Sequence, residues 1–129
     1  MSYMPPSKSD THITPDRVWE MIEKELNISR DVLFDPCPED ASFDGLSIPW
    51  KKLNFVNPPY TLLKEFVQKA IDETNGHNKS IMLLPAKTDQ QWFHDLIDRN
   101  YQIFWIRKRL KFKNNKHHAT QPHFLVLVK

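Results

Sequence analysis

Residues 57–60 read Asn-Pro-Pro-Tyr and follow directly on the apolar run Leu53–Val56. Adjacent prolines lack backbone N–H groups and have a fixed φ, so neither a central strand nor a helix interior can pass through them. One element must therefore stop at Val56 and another must start beyond Tyr60. The remaining pattern sorts around that boundary. Thr14-Pro15-Asp16 reads as a helix start, with Thr at the N-cap, Pro at the first helical position and an acid at the positive end. Val18, Trp19, Ile22 and Leu26 follow at helical spacing, which predicts a helix over 15–26.

Asp31–Asp35 is an apolar run stopped by Pro36-Cys37-Pro38 and reads as a buried strand, while residues 39–52 are turn-rich and irregular. Leu53–Val56 is the second strand. Apolar residues at 62, 63, 66, 67, 70 and 71 predict an amphipathic helix from Leu62 to Glu73, stopped by Asn75-Gly76. Ser80–Leu84 is a third strand ended by Pro85, and residues 89–98 form a further helix. Tyr101–Ile106 and His123–Val128 are the fourth and fifth strands, separated by a basic stretch over 107–122. Strands interleaved with helices predict an α/β layer protein with a sheet of about five strands, buried on both faces. At 129 residues the chain has room for one core. Residues 1–13 read as a flexible arm and 14–129 as one domain.

Charge is distributed unevenly. Residues 1–98 carry 10 Lys/Arg against 16 Asp/Glu, whereas residues 99–129 carry 8 Lys/Arg and no acid. A basic end on an acidic body fits a polyanion on one face, or an ordinary solvated basic loop; charge alone leaves both open. The sequence has neither an apolar run of about 18 residues nor an apolar signal core, and its one cysteine, Cys37, cannot form an internal disulfide. A cytoplasmic protein without membrane contact is the expectation.

Three strands end in proline-marked exits, DPCP, NPPY and LPAKT, and ligands of open α/β sheets lie beyond the carboxyl ends of strands. At the middle exit, the Asn57 side chain and the Pro58 carbonyl offer two acceptors in a segment with little freedom. Two convergent acceptors suit an –NH₂ group, and the Tyr60 ring can stack on a planar base. Such a site would grip an exocyclic amine and polarise it toward attack without a covalent intermediate.

With these residues assembled, the chain resembles the small phage-type DNA N6-adenine methyltransferases, a Dam-like family of amino methyltransferases. The resemblance covers roughly residues 14–128. It is carried by Thr14-Pro15-x-x-Val18-Trp19, Phe34-Asp35-Pro36-Cys37, Asp44-Gly45-Leu46, Trp50, Val56-Asn57-Pro58-Pro59-Tyr60, Leu83-Leu84-Pro85-Ala86-Lys87-Thr88-Asp89, Trp92-Phe93-His94 and Arg109-Leu110-Lys111-Phe112. It implies a reduced Rossmann-like fold with a mixed sheet, in which the DPCP strand lies beside the NPPY strand, then the LLPA strand, with the last two strands as an antiparallel edge pair. It also implies methyl transfer from S-adenosyl-L-methionine to adenine N6 in double-stranded DNA, the base being flipped into the site.

On that resemblance Asn57, Pro58, Pro59 and Tyr60 form the catalytic segment. Thr14, Pro15, Asp35, Pro36, Cys37 and Asn57 hold the cofactor, and Asp44 is a candidate for its adenosine end. Arg107, Lys108, Arg109, Lys111, Lys113 and Lys116 are the candidates for touching DNA; the family more often carries glycine where Lys108 stands. The glycine-rich first-strand loop common among methyltransferases is absent, and 21 residues separate Asp35 from Asn57, too few for two β-α units.

Other readings stand beside these. Pro36-Cys37 also fits the nucleophile of a cytosine-C5 methyltransferase or a packed thiol. His117-His118 invite a metal, but no ligand spacing of a zinc site accompanies them, so no metal is expected. Trp92 and Phe93 fit core packing, or for Trp92 a border of the base pocket; Lys87 fits a cofactor edge or solvent. At the level of the whole chain, a catalytically inactive nucleic-acid-binding module, or the same chemistry on RNA, remain as alternatives.

Overall fold

The computed structural model describes residues 12–129, so residues 1–11 of the expected arm lie outside the described residues. Its regular elements are α1 (Asp16–Leu26), β1 (Leu53–Val56), α2 (Leu63–Glu73), β2 (Lys79–Pro85), α3 (Gln91–Asp98), β3 (Gln102–Trp105) and β4 (His123–Val128). The strands form one mixed sheet in the order β1-β2-β4-β3. β1 and β2 are parallel, joined through α2, while β4 runs antiparallel to both β2 and β3.

The sheet thus has four strands, where five were expected. The start of the DVLFD run lies in a single 3₁₀ turn, Arg30–Val32, begun by Ser29, whose Oγ accepts from the Asp31 N–H. Only Phe34 reaches the sheet, in a lone parallel bridge to Asn54. Its N–H donates to Leu53 O (3.0 Å) and its carbonyl accepts from Phe55 N–H (2.8 Å). Two causes are visible. Ser29 offers the backbone a local turn in competition with the ladder, and Pro36 and Pro38 have no N–H with which to continue it. Val32 is left 61 % exposed, so its burial does not draw the start of the run onto the sheet. The expected lateral order of exits nevertheless holds, with Phe34 flanking β1 and β1 flanking β2.

Alternation along the strands divides the core in two. Phe55, Ile81, Leu83, Leu125 and Leu127 pack with Val18 and Ile22 of α1. Val56, Met82, Leu84, Phe124, Val126 and Val128 pack with Leu63, Phe66, Val67 and Ala70 of α2 and Trp92, Phe93 and Leu96 of α3. Trp92 is therefore core, between the two helices. Both faces of the sheet are covered, as its apolar strands require.

Three local features shape the strand exits. Pro15, and not Thr14, is the N-cap of α1, and no side chain caps that end. Gly45 lies under the Pro36 backbone so closely that a Cβ there would stand 1.9 Å from the Pro36 carbonyl oxygen. Its own carbonyl accepts from Trp50 Nε1 (2.8 Å), while Trp50 N–H donates to Glu73 Oε1 at the end of α2 (2.7 Å). The irregular 39–52 segment is tied down through these contacts. The basic loop is pinned by buried Leu110 and Phe112, by Ala119 N–H donating to Leu110 O (2.7 Å), and by the Arg17 guanidinium, which donates to the carbonyls of residues 107, 108 and 109.

Candidate active site

Because Phe34, β1 and β2 are parallel, their exits open side by side: Asp35-Pro36-Cys37, then Asn57-Pro58-Pro59-Tyr60, then Ala86-Lys87. Antiparallel β4 begins at the same edge, where His123 pairs in register with Pro85. Prolines 58 and 59 are buried and trans, with Leu62 N–H donating to Pro59 O (2.9 Å). Asn57 and Tyr60 flank them, half-buried.

The orientation of the Asn57 amide is settled by its neighbours. Nδ2 lies 2.6 Å from the His12 carbonyl oxygen and 3.0 Å from Thr14 Oγ1. A carbonyl only accepts, so the NH₂ faces it and Oδ1 is the atom turned the other way. The threonine hydroxyl expected to cap α1 is used here, on the amide. Cys37 is joined to the same segment. Its N–H donates to Asp35 Oδ1 (2.9 Å) and its Sγ–H to the Asn57 carbonyl (3.4 Å). Burial pushes the thiol well above its ordinary range, with the Asp35 charge adding to the effect. A thiol held protonated and donating is a poor nucleophile, which disfavours the cytosine-C5 reading of Pro36-Cys37.

Tyr60 is fixed from behind. Its hydroxyl lies 2.9 Å from His123 Nε2, and His123 Nδ1 lies 3.1 Å from the Gln121 carbonyl. The carbonyl requires Nδ1–H, so Nε2 accepts and the tyrosine O–H donates. Burial, against the opposing pull of the Gln121 carbonyl, lowers the His123 pKa to about 4, and burial raises that of Tyr60 to about 12. Both groups are neutral through the physiological range, so the pair positions a ring and carries no charge.

Two cavities meet at this segment. The smaller, about 140 Å³, is lined by Thr14, Asp35, Cys37, Asn57, Arg30 and Lys113, among others. Burial raises the Asp35 carboxyl to about 6, against the opposing pull of the Cys37 N–H. The Arg30 guanidinium sits 4.4 Å over the Trp19 ring, and Lys113 pairs with Asp16 at 2.6 Å. A half-desolvated carboxylate beside two cations is a donor set for an amino acid, ammonium to Asp35 and carboxylate to Arg30 or Lys113.

The larger cavity, about 460 Å³, is walled by Tyr60, Phe112, Lys87, Asn115, Lys116 and Gln121, and by His12, which also lines the smaller one. That volume lies within the range of small-ligand sites, and the smaller one suits only part of a ligand. Lys108, Arg109 and Lys111 line neither; with Arg17 they lie along an open groove beside Pro15, which His118 shares with the larger cavity. Arg107 is exposed at the loop's start. Pro36 is buried under Gly45. Asp44 lines neither cavity. Its carboxylate is engaged within its own turn, accepting from Leu46 N–H (3.0 Å) and Ser47 Oγ–H (2.7 Å). Lys108 has φ 62°, in the left-handed region that favours glycine. Among the described residues no cluster of three or more His, Cys, Asp or Glu could hold a metal, and no helix is long and apolar enough to cross a membrane.

His12, Phe112, Asn115 and His123 border the site, and Arg17 the basic groove, without a role assigned from sequence. Phe112 belongs to the Arg109-Leu110-Lys111-Phe112 stretch, and His123 opens an apolar run, which is the only signal that it lies at a strand end.

The sequence model of the DNA N-6-adenine-methyltransferase (Dam) family matches residues 1–125. A DNA N-6-adenine-methyltransferase of Haemophilus phage HP1 (strain HP1c1) is 28 % identical over 123 residues, covering 85 % of this chain and 70 % of that protein. Another protein of that name, from Escherichia phage T1, is 38 % identical over 56 residues, covering 43 % of this chain and 24 % of its own length. The matched stretch therefore spans about a quarter of the phage T1 protein.

Proposed function

The chain belongs to the DNA N-6-adenine-methyltransferase (Dam) family, and from that premise we propose that it methylates the N6 amine of adenine in DNA, with S-adenosylmethionine as methyl donor. The observation that carries the reading is that Asn57-Pro58-Pro59-Tyr60 divides two cavities of different character. Asn57 faces the small one with its carboxylate and cations, and Tyr60 faces the large one beside the basic loop.

In the small cavity Asp35 would take the donor's ammonium, and Arg30 or Lys113 its carboxylate. When bound, the donor supplies a methyl carbon made electrophilic by a sulfonium sulfur. Asn57 Oδ1 and the Pro58 carbonyl accept the two N–H bonds of the amine, which aims its lone pair toward the small cavity. These acceptors need no reorganisation, because Thr14 fixes the amide and the prolines fix the backbone. Tyr60 supplies the stacking face for a base taken out of the duplex, and His123 holds that ring in place. Lys108, Arg109, Lys111 and Arg17 supply the phosphate-binding side, positioning the duplex without reading its sequence.

The test uses labelled S-adenosylmethionine and unmethylated duplex DNA. Transfer by the wild type, and its loss by roughly 100-fold or more in a folded Asn57→Ala variant, is the expected result. Binding of DNA with no binding of the donor by calorimetry would contradict the proposal and favour a non-catalytic binding module.

A further inference from the structure

We propose that His12 stands where the flipped target base binds, and that Tyr60, Phe112 and Asn115 are the walls of that base pocket. The inference rests on the adenine reading above and adds to it the residues that hold the ring and a plug that must leave.

The His12 imidazole lies 4.4 Å from the Tyr60 ring and 4.9 Å from the Phe112 ring, centroid to centroid. Asn115 Nδ2 lies 3.1 Å from His12 Nδ1. An amide NH₂ can only donate, so the ring nitrogen accepts. The His12 carbonyl also takes the Asn57 amide at 2.6 Å. An imidazole is the five-membered half of a purine. The groups around this one, two aromatic neighbours and a donor to a ring nitrogen, are those a flipped adenine needs, and asparagine is the side chain that pairs most naturally with adenine. The surrounding cavity of about 460 Å³ leaves room for a larger planar ligand, with Lys87 and Lys116 at its rim for the flanking phosphates.

Base and imidazole cannot both lie against Tyr60. His12 in place therefore reduces the fraction of molecules competent to take the base, and lowers apparent DNA affinity by that fraction. Asn57 keeps its bond to Thr14 when His12 leaves, so the acceptor face survives the exchange.

The experiment measures steady-state methyl transfer to unmethylated duplex DNA by wild type, His12→Ala and His12→Ala/Asn115→Ala, with melting curves as controls for folding. We expect His12→Ala to lower KM for DNA about threefold or more with kcat nearly unchanged, and Asn115→Ala in that background to raise KM again by about tenfold. In the unmodified protein, His12 ring-proton NMR signals should be displaced upfield by the two aromatic rings and return toward free-histidine positions when duplex DNA and S-adenosylmethionine are added. Transfer by the wild type with KM unaltered or raised in His12→Ala, or with His12 signals unmoved in the ternary mixture, would overturn this inference and leave the methyltransferase reading standing. Absence of transfer by the wild type would sink both.

Discussion

The chemistry of the site is set by a few side chains whose neighbours leave them little choice. Asp35 is the clearest. Burial holds its carboxyl at about 6, above the ordinary carboxylate value of 3.8. The folded state therefore keeps a proton that the unfolded chain releases, and stability falls as pH rises from about 4 to about 6. Asp35→Asn removes that loss and keeps an acceptor for the Cys37 N–H. We predict that it stabilises the protein at pH 7–8 by on the order of 2 kcal/mol, seen in urea titrations, while calorimetry finds donor binding lost. His123 works in the opposite sense. Its pKa is lowered from 6.5 to about 4, so protonation favours the unfolded chain and stability falls as pH drops from about 6.5 to about 4. Tyr60→Phe leaves Nε2 of His123 buried with its donor removed. It should cost about 1–3 kcal/mol and loosen the ring, raising KM for DNA more than it lowers kcat.

At the level of elements, strand ends were legible and tertiary neighbours were not. Val56 could only be a strand end, because Pro58-Pro59 admits nothing else, and β1, β2, β4 and the amphipathic helices followed from periodicity. The DVLFD run misled because an apolar run does not reveal whether its backbone has a ladder to join; Ser29 and two prolines decide against it. Phe112, Asn115 and His123 reach the site from a loop and from the start of an antiparallel strand, positions that no local pattern marks. Gly45→Ala would drive a Cβ into the Pro36 carbonyl. The shift of the DPCP exit should cost more than about 2 kcal/mol and weaken donor binding. Lys108 occupies a left-handed backbone conformation at φ 62°, which glycine adopts without strain. Lys108→Gly should stabilise the fold by about 0.5–1 kcal/mol, measured by its melting temperature.

Across the whole molecule, the uneven charge of the sequence becomes a division of labour. The cations of the basic loop do not act as one patch: Lys113 is drawn to Asp16 beside the small cavity, Lys116 borders the large one, and Lys108, Arg109 and Lys111 share an open groove with Arg17. DNA affinity should therefore fall steeply with salt, and Lys111→Ala should reduce the log–log salt slope by about 1 without changing which base is modified. The central claim is that Asn57-Pro58-Pro59-Tyr60, between the two cavities, directs a methyl group from a donor in the small one to adenine N6 in the large one. The most direct measurement is mass spectrometry of the nucleosides from unmethylated duplex DNA incubated with the protein and S-adenosylmethionine. The account predicts N6-methyldeoxyadenosine, absent with Asn57→Ala; methylation confined to cytosine, or no methylated nucleoside from a folded protein, would contradict it.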